Sequence, residues 1–400
     1  MIAARPPKIL FLVSEDWYFC SHRLPVARAA RDQGWEVVVL TRLAEHEDMI
    51  RAEGFRPVPL LLRRGSRHPG DAIRTIRHIA GVYRQERPDL VHHVNLKMCL
   101  LGGVAARMAG VPRVVNGLTG MGFLFAGDSL SNRMLRSAVL AAFRPLSRWD
   151  GAHLIVQNGD DLAFLQARAV AVPGRTHLIR GSGVDVDRFR PAPEPEGVPM
   201  LTYVGRMLAD KGLNELAAAA RLLHARGRDC RVVLVGPTDP ENPQSLDPAT
   251  LEGWQKEGIL EWWGRRDDIP AVWAESTVAV LPSYREGLPK ALLEAAAAGR
   301  PLIAADVPGC RDLVRDGVDG ILVPPRDPEA LADAIDMLLQ APDLRVRYGA
   351  SARQRATAEF SEAVITAQTL EVYTTLLGDL GRRDARAPAE AKHDSGAASA

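Results

Sequence analysis

The chain has 400 residues, 46% hydrophobic and 25% charged: a globular balance that excludes a low-complexity protein, at a length that asks for two domains. Its four cysteines, Cys20, Cys99, Cys230 and Cys310, form no CxxC pair, and no apolar run approaches the ~18–20 residues of a membrane span, which excludes a disulfide scaffold, a cysteine zinc site and a transmembrane helix and fits a reducing cytosol. Charge is uneven, with 27 basic and 17 acidic side chains in residues 1–190 against 23 and 32 in the rest, so the first half is expected to meet an anionic surface or substrate.

Short β-rich runs alternate with helical patterns from the start. Lys8–Val13 places five apolar residues after a lysine and reads as a first strand, not a signal peptide. Strands follow at Trp35–Leu40, Pro57–Leu62, Leu90–His93, Arg113–Asn116, Leu154–Gln157 and Leu178–Ile179. Helices at Leu24–Asp32, Asp71–Gln85 and Leu100–Ala109 fall between them. The alternation implies βαβ units and a parallel sheet with helices on both faces. Residues 190–199, RPAPEPEGVP, hold four prolines in ten and read as a linker, since proline lacks the N–H that helix and sheet need.

After the linker the alternation restarts. Strands fit Leu201–Val204, Val232–Val235, Val278–Leu281, Leu302–Ala304 and Ile321–Val323. Helices fit Gly212–Arg226, Lys290–Ala298, Pro328–Gln340 and Leu344–Ala358, with a last helix at Ser361–Leu377. The tail from Arg382 to Ala400 has no apolar period and is expected to be disordered. Two doubly wound α/β domains in series leave a cleft between them, where ligands sit.

The segment 278–299, VAVLPSYREGLPKALLEAAAAG, runs from a buried strand through a glycine-containing loop into a helix. Pro289 suits a first helical position and Gly299 a C′ position. Free N–H groups and the positive end of the helix dipole bind phosphate in such a place, so Gly287 and Leu288 are candidates for holding a diphosphate. Glu286 precedes the helix and Glu294 lies inside it. A carboxylate accepts from two adjacent hydroxyls at once, and ribose and pyranose both offer such pairs. A second segment, YVGRMLADKG from Tyr203 to Gly212, ends a strand at Gly205 and brings Arg206 and Lys211 to the next turn. Two cations at a strand's C-terminus suit a diphosphate leaving group.

These residues resemble glycosyltransferase family 4, whose members have the GT-B fold and retain anomeric configuration. Glu286 and Glu294 match its E-x7-E motif, and Gly205-Arg206 with Lys211-Gly212 match its diphosphate loop. Gly183-Val184-Asp185 with Phe189 resembles its G-V-D-x-x-x-F turn, and 313–324 (LVRDGVDGILVP) resembles its C-terminal turn. The resemblance covers nearly the whole chain to about Leu380. It implies two Rossmann-like domains facing across a cleft: residues 1–190 for the acceptor, 191–360 for a nucleotide sugar, and a helix over 361–381 returning to the first domain, before the tail 382–400. It also implies catalytic roles for Arg206, Lys211 and Glu286, with Glu286 on the transferred sugar and Glu294 on the ribose. Arg265-Arg266, after Trp262-Trp263-Gly264, resembles the segment that meets the base through its backbone, here uracil. With no carboxylate nucleophile identified, the resemblance implies front-face substitution, in which the leaving phosphate takes the acceptor proton.

Three clusters follow strand ends in the first half and are expected to converge on the cleft. They are Ser14–Pro25 with Tyr18, Phe19, His22 and Arg23; His92–Lys97 with His93 and Lys97; and Asn116–Phe123, beginning Asn116-Gly117. They resemble a branch of bacterial family members that extend polyprenyl-diphosphate-linked oligosaccharides, so Tyr18, His22, Arg23, His93, Lys97, Asn116 and Gly117 are candidate acceptor contacts.

Membrane contact has its own signal. Met121, Phe123, Leu124 and Phe125 form an apolar loop. Residues 130–149 interleave Met134, Leu135, Val139, Leu140 and Phe143 with Arg133, Arg136, Arg144 and Arg148. Arg63, Arg64, Arg67, Arg74 and Arg77 lie upstream. Basic amphipathic segments lie on anionic membranes, although an ordinary helix packed on the sheet gives the same period.

The expectation is a peripheral, cytoplasmic-face enzyme that takes a UDP-sugar as substrate and uses no cofactor, metal or nucleic acid. Asp239 and Glu241 read as solvated loop residues. The same chemistry on a soluble acceptor, an epimerase, or a non-catalytic nucleotide-sugar-binding protein stand as alternatives.

Overall fold

The computed structural model, which describes residues 5–62, 68–121 and 130–384 with side chains through residue 378, is built on two parallel sheets. The first domain runs β1 (Lys8–Glu15), α1 (Asp16–His22), α2 (Leu24–Asp32), β2 (Glu36–Arg42), α3 (Glu47–Ala52), β3 (Arg56–Pro59), α4 (Pro69–Glu86), β4 (Leu90–Val94), α5 (Leu96–Ala109), β5 (Val114–Leu118), α6 (Leu130–Ser147), β6 (Ala152–Val156), α7 (Gly159–Gln166) and β7 (Thr176–Leu178). The second runs β8 (Met200–Val204), α8 (Leu213–Ala225), β9 (Arg231–Val235), α9 (Pro248–Lys256), β10 (Glu261–Trp262), α10 (Ile269–Glu275), β11 (Val278–Leu281), α11 (Lys290–Ala297), β12 (Leu302–Ala305), α12 (Cys310–Leu313), β13 (Gly320–Val323), α13 (Pro328–Gln340), α14 (Pro342–Glu359) and α15 (Glu362–Asp384).

The sheets order as β3-β2-β1-β4-β5-β6-β7 and β10-β9-β8-β11-β12-β13, the doubly wound GT-B architecture expected. The central strands are unbroken apolar runs because helices cover both faces. Ile9 to Val13 are fully buried, as are Val38, Val39 and Leu40 beside them. Strand order reverses between β1 and β4 and again between β8 and β11. Ligands enter a doubly wound sheet at the carboxyl ends of strands at such a switch point.

Two departures matter for the site. Ser14–Pro25 is not a loop: Asp16–His22 is a helix of seven residues, too short to display a period. Asp16 is buried in its first turn and accepts from the backbone N–H groups of Trp17, Ala44 and His46 at 2.7, 2.6 and 3.0 Å. Phe19 points into the core against Phe11 and Phe55. Secondly, β3 stops at Pro59 instead of reaching Leu62, and the chain turns away after the Leu60 N–H donates to the Thr41 carbonyl at 2.8 Å.

The chain leaves the first domain beyond Val184 and returns at Ser361. The two passes are tied: the Val184 N–H donates to Phe360 O and the Glu362 N–H to Val184 O, both at 2.9 Å. The proline-rich linker lies along the second domain, where Arg345 holds Glu194 at 3.0 and 3.1 Å. After the return, α15 completes the first domain's core with Ile365, Val372, Tyr373 and Leu376 against Phe11, Phe19, Leu24 and Val26. Among the described residues no helix is long and apolar enough to cross a membrane.

Candidate functional site

The second domain's switch point brings the loops after β8 and β11 side by side. In the first, the buried Tyr203 donates its hydroxyl to the Arg206 carbonyl at 2.8 Å, and the Gly205 N–H donates to Val235 O at 2.9 Å. A side chain on Gly205 would fall 2.6 Å from that hydroxyl. Arg206 is aimed by Asp239, whose Oδ2 is 2.7 Å from a guanidinium nitrogen. Asp239 is buried beside Arg206 and is not the solvated loop acid the sequence indicated. Glu241 reaches across to Arg42 of the first domain at 3.5 Å. Lys211 ends a short 3-10 turn, Ala209–Lys211. The next residue, Gly212, adopts φ 73° with its Cα against Pro282, where a Cβ would sit 2.7 Å from the carbonyl carbon. That approach seats the Lys211 turn beside the second loop.

In the second loop, Tyr284 donates its N–H to Asp210 O at 2.9 Å and its hydroxyl to Glu215 at 2.7 Å. These bonds fasten the loop to the Lys211 turn. Glu286 then meets Lys211, Oε1 to Nζ at 2.6 Å. The N–H groups of Gly287 and Leu288 donate to no protein acceptor among the described residues. Pro289 is the N-cap of α11, one residue before the expected first helical position, and Gly299 closes the helix at φ 72°. Glu294 lies one turn beyond Lys290, beside Arg188 and Glu362. Burial lifts its carboxyl above the ordinary range, opposed by Lys290 and Arg188.

The first domain closes directly on this loop. A Cβ on Gly287 would lie 2.9 Å from the Thr119 carbonyl carbon and 3.0 Å from Gln157 Oε1. Asn158 Nδ2 donates to Gly287 O at 2.9 Å, Arg285 holds Asp161 at 2.5 Å, and Lys290 Nζ donates to Ser21 O. The Tyr18 and His22 rings stack at 4.0 Å between centroids, and Ser21 Oγ sits 2.5 Å from His22 Nδ1. Burial holds the His22 ring well below its ordinary pKa, helped by Lys290 and Arg23. Burial raises the Tyr18 hydroxyl, against the pull of Arg23, Thr119 and Arg206. Tyr18 and His22 therefore stand where the first domain meets the second domain's β11–α11 segment.

The other acceptor candidates separate from them. His93 is fully buried, its Nδ1 2.9 Å from Asn116 Oδ1 and its Nε2 3.0 Å from the Tyr83 hydroxyl. Burial drives its ring down to about 4, so it is neutral. Asn116 is buried as its partner. Gly117 lies in β5, where a Cβ would sit 2.7 Å from His92 Nε2. These three hold the sheet together and are corrected from cleft residues to core. Lys97 is exposed in the first turn of α5, which Asn95 caps by accepting from the Met98 N–H at 3.0 Å.

At the end of β10, Gly236 and Gly264 are joined by a 2.8 Å backbone hydrogen bond, and Trp262 Nε1 donates to Gly236 O at 2.9 Å. The Arg265 side chain reaches Glu45 of the first domain at 3.3 Å, and the Arg266 side chain pairs with Asp268 at 2.5 Å.

A family model described as glycosyl transferase 4-like matches residues 8–148, and one described as glycosyl transferases group 1 matches residues 198–341. An alpha-maltose-1-phosphate synthase of Mycolicibacterium smegmatis is 31% identical over 324 residues, covering 73% of this chain and 80% of that one. The chain belongs to the group 1, family 4-like glycosyltransferases.

This glycosyltransferase is also 24% identical, over 368 residues, to the N,N'-diacetylbacillosaminyl-diphospho-undecaprenol alpha-1,3-N-acetylgalactosaminyltransferase of Campylobacter jejuni, covering 89% of this chain and 95% of that one. A solved structure of Anabaena HepE in complex with UDP and glucose superposes with TM-score 0.73 at 20% identity, covering 92% of this chain and all of that one.

Sequence reasoning missed Lys290, Asp239 and the Asn158–Asp161 contact with the donor loop. Asp239 had a signal: an acid just after β9, the neighbour of β8, falls beside whatever follows β8. Of the residues expected to meet a membrane, Leu130, Met134 and Leu135 are exposed on α6, and Leu140 and Phe143 are buried. Met121 is also buried, in the core with α6, and so is not part of an exposed apolar loop. Arg63, Arg64, Arg67, Phe123, Leu124 and Phe125 lie outside the described residues.

Proposed function

We propose that the glycosyltransferase moves a hexose or N-acetylhexosamine from a UDP-sugar to a glycan carried on undecaprenyl diphosphate, with retention of configuration and without a metal. The observation that carries the donor half is the Lys211–Glu286 pair beside the Asp239-aimed Arg206, at the switch point of the second sheet. Arg206, Lys211 and the free N–H groups of Gly287 and Leu288 suit a diphosphate. Glu286 then bridges from Lys211 to a sugar hydroxyl, Glu294 takes the ribose hydroxyls, and the backbone around Gly264–Arg266 takes the base. UDP as the nucleotide is supported by the ligand named in the HepE structure.

In the reaction the bond from the anomeric carbon to the diphosphate oxygen breaks, and the acceptor oxygen bonds to the same face. The acceptor's proton passes to the departing diphosphate. The protein contributes positioning and charge, with Arg206 and Lys211 stabilising the leaving group. The lipid-linked acceptor is supported by the name of the Campylobacter jejuni relative. Peripheral binding at the inner face of the plasma membrane is supported by exposed apolar residues in the first turns of α4 and α6, Ile73, Leu130 and Met134, with the exposed Arg74, Arg77 and Arg133 in the same parts of those helices. Assembly of cell-surface polysaccharide or glycoprotein glycans in a bacterium follows from such an acceptor.

The test is a donor screen with an undecaprenyl-diphosphate-sugar acceptor, with the product anomer read by NMR, EDTA present and anionic vesicles added or withheld. Transfer with retention, insensitive to EDTA and raised by anionic lipid, is expected. Full activity of Glu286→Ala or Arg206→Ala would refute the donor site. Inversion would refute the mechanism.

A further inference from the structure

Arg23 stands at the corner between α1 and α2, two residues after the Ser21 carbonyl that receives Lys290 of the second domain, and it is 6% exposed. It makes no ion pair among the described residues, and its Nε is buried with no hydrogen-bond partner. A guanidinium taken out of water without a counter-charge costs several kcal/mol unless something repays it. The acids closest in sequence are already committed. Glu15 accepts from Arg42 at 3.0 Å, and Asp16 is held by three backbone N–H groups. Glu53 takes Arg28 and Arg31.

The cations across the cleft are differently placed. Arg206 has Asp239, Lys211 has Glu286, and Lys290 donates to Ser21 O. Those on the second domain suffice for a donor diphosphate. Arg23 belongs to the other domain, and its immediate company is the Tyr18–His22 stack. Its charge acts on both of those side chains and on the buried His92, Cys99 and Tyr373. The anion that would complete it arrives from the acceptor side.

We infer that Arg23 is the anion-binding residue of the acceptor site, and that it takes a phosphate or diphosphate group attached to the sugar that receives the transfer. This rests on the transferase reading above and deepens it. The acceptor is selected for its charge next to the first sugar, whether that charge comes from a lipid diphosphate or from a free sugar phosphate. A phosphate oxygen accepting from Nε and a terminal nitrogen gives the paired, charge-assisted geometry that guanidinium favours.

The experiment compares three acceptors bearing one sugar: the polyprenyl diphosphate, the sugar 1-phosphate and a neutral alkyl glycoside. They are assayed with wild type, Arg23→Gln and Arg23→Lys. Arg23→Gln should raise KM for the phosphate-bearing acceptors roughly 30-fold or more, leaving KM for the donor and for the neutral glycoside within about twofold. Arg23→Lys should recover part of the loss. In wild type saturated with donor, inorganic pyrophosphate should compete with the acceptor, a readout that needs no variant to fold. If the lipid diphosphate alone shows the effect the source is the lipid carrier; if the sugar 1-phosphate shows it equally, a soluble acceptor supplies the same group.

Equal effects of Arg23→Gln on charged and neutral acceptors, no effect on either, or pyrophosphate inhibition not competitive with acceptor would each overturn the inference while the transferase reading stands. A wild type that uses only the neutral glycoside would bring down the acceptor reading itself, and this inference with it.

Discussion

Gly287→Ala tests whether the observed closure of the two domains on the donor loop is the working geometry. The new methyl group would lie 2.9 Å from the Thr119 carbonyl carbon, closer to its oxygen, and 3.0 Å from Gln157 Oε1. Ordinary carbon–carbon contact needs ~3.5–4.0 Å, so Thr119 and Gly287 must part by about 0.6–1 Å. Neither side yields cheaply, because one atom is backbone and Gly287 O is itself held by Asn158. The strain is relieved by moving the domains apart, which displaces Tyr18 and His22 from Glu286 and Arg206. A misplacement of about 1 Å costs on the order of 100-fold in rate, or ~2.7 kcal/mol in the barrier. The assay is steady-state kcat with saturating donor and acceptor, alongside calorimetric titration with UDP, whose proposed contacts all lie on the second domain. We expect kcat to fall about 100-fold and UDP affinity to hold within a few fold. Gly253→Ala, in α9 with open space around it, should leave both unchanged. A Gly287→Ala enzyme with wild-type kcat, or one whose UDP affinity falls in step with kcat, would refute the reasoning.

Asp239→Asn removes the charge that aims Arg206, and kcat/KM for the donor should fall roughly 10-fold or more; a change under twofold in a donor titration would make Asp239 a bystander. Glu294 is half-buried and desolvation lifts its carboxyl above the ordinary range, so it loses its charge as pH falls through that raised value. Donor KM should rise there, and Glu294→Gln should have a high donor KM with that pH dependence gone; an unchanged acid limb in the variant would remove Glu294 from donor binding. His93 is held neutral near 4 against an ordinary 6.5. The unfolded chain therefore binds its proton first, and its contribution to stability is intact above pH 6.5 and is lost as pH falls toward 4. The loss is of order 3 kcal/mol. Urea melts at pH 7.5 and pH 5 should show a smaller drop for His93→Gln than for wild type; equal drops would contradict this.

The fold was legible because each central strand is an apolar run bounded by turn residues, and parallel sheets covered on both faces are written that way. The meeting of Glu286, Arg206 and Lys211 was legible for a related reason. Glu286, Arg206 and Lys211 follow strands that neighbour each other at a switch point, so position along the chain fixes position in space. The acceptor wall was not. His93 and Asn116 stand in strands like residues at strand ends, and their burial is decided by Tyr83, a partner on α4 that no spacing rule connects to them. Helix α1 is too short to show a period, and its anchor, Asp16, bonds to a backbone segment nearly thirty residues away. Arg23 was legible as a cation near the cleft, but its lack of a partner exists only once Glu15, Asp16 and Glu53 are seen to be taken.

The tie between Val184 and Ser361 also governs how such enzymes can trade parts. The first domain is made of two stretches of chain, and the later one supplies Ile365, Val372 and Tyr373 to a core that residues 1–184 leave incomplete. A hybrid that swaps only the N-terminal piece would pair a foreign sheet with the old α15 and mismatch His92 against Tyr373. Exchanging both stretches at that one knot leaves the donor domain whole, so inheritance of acceptor preference is expected to follow the final helix as faithfully as it follows the first loops.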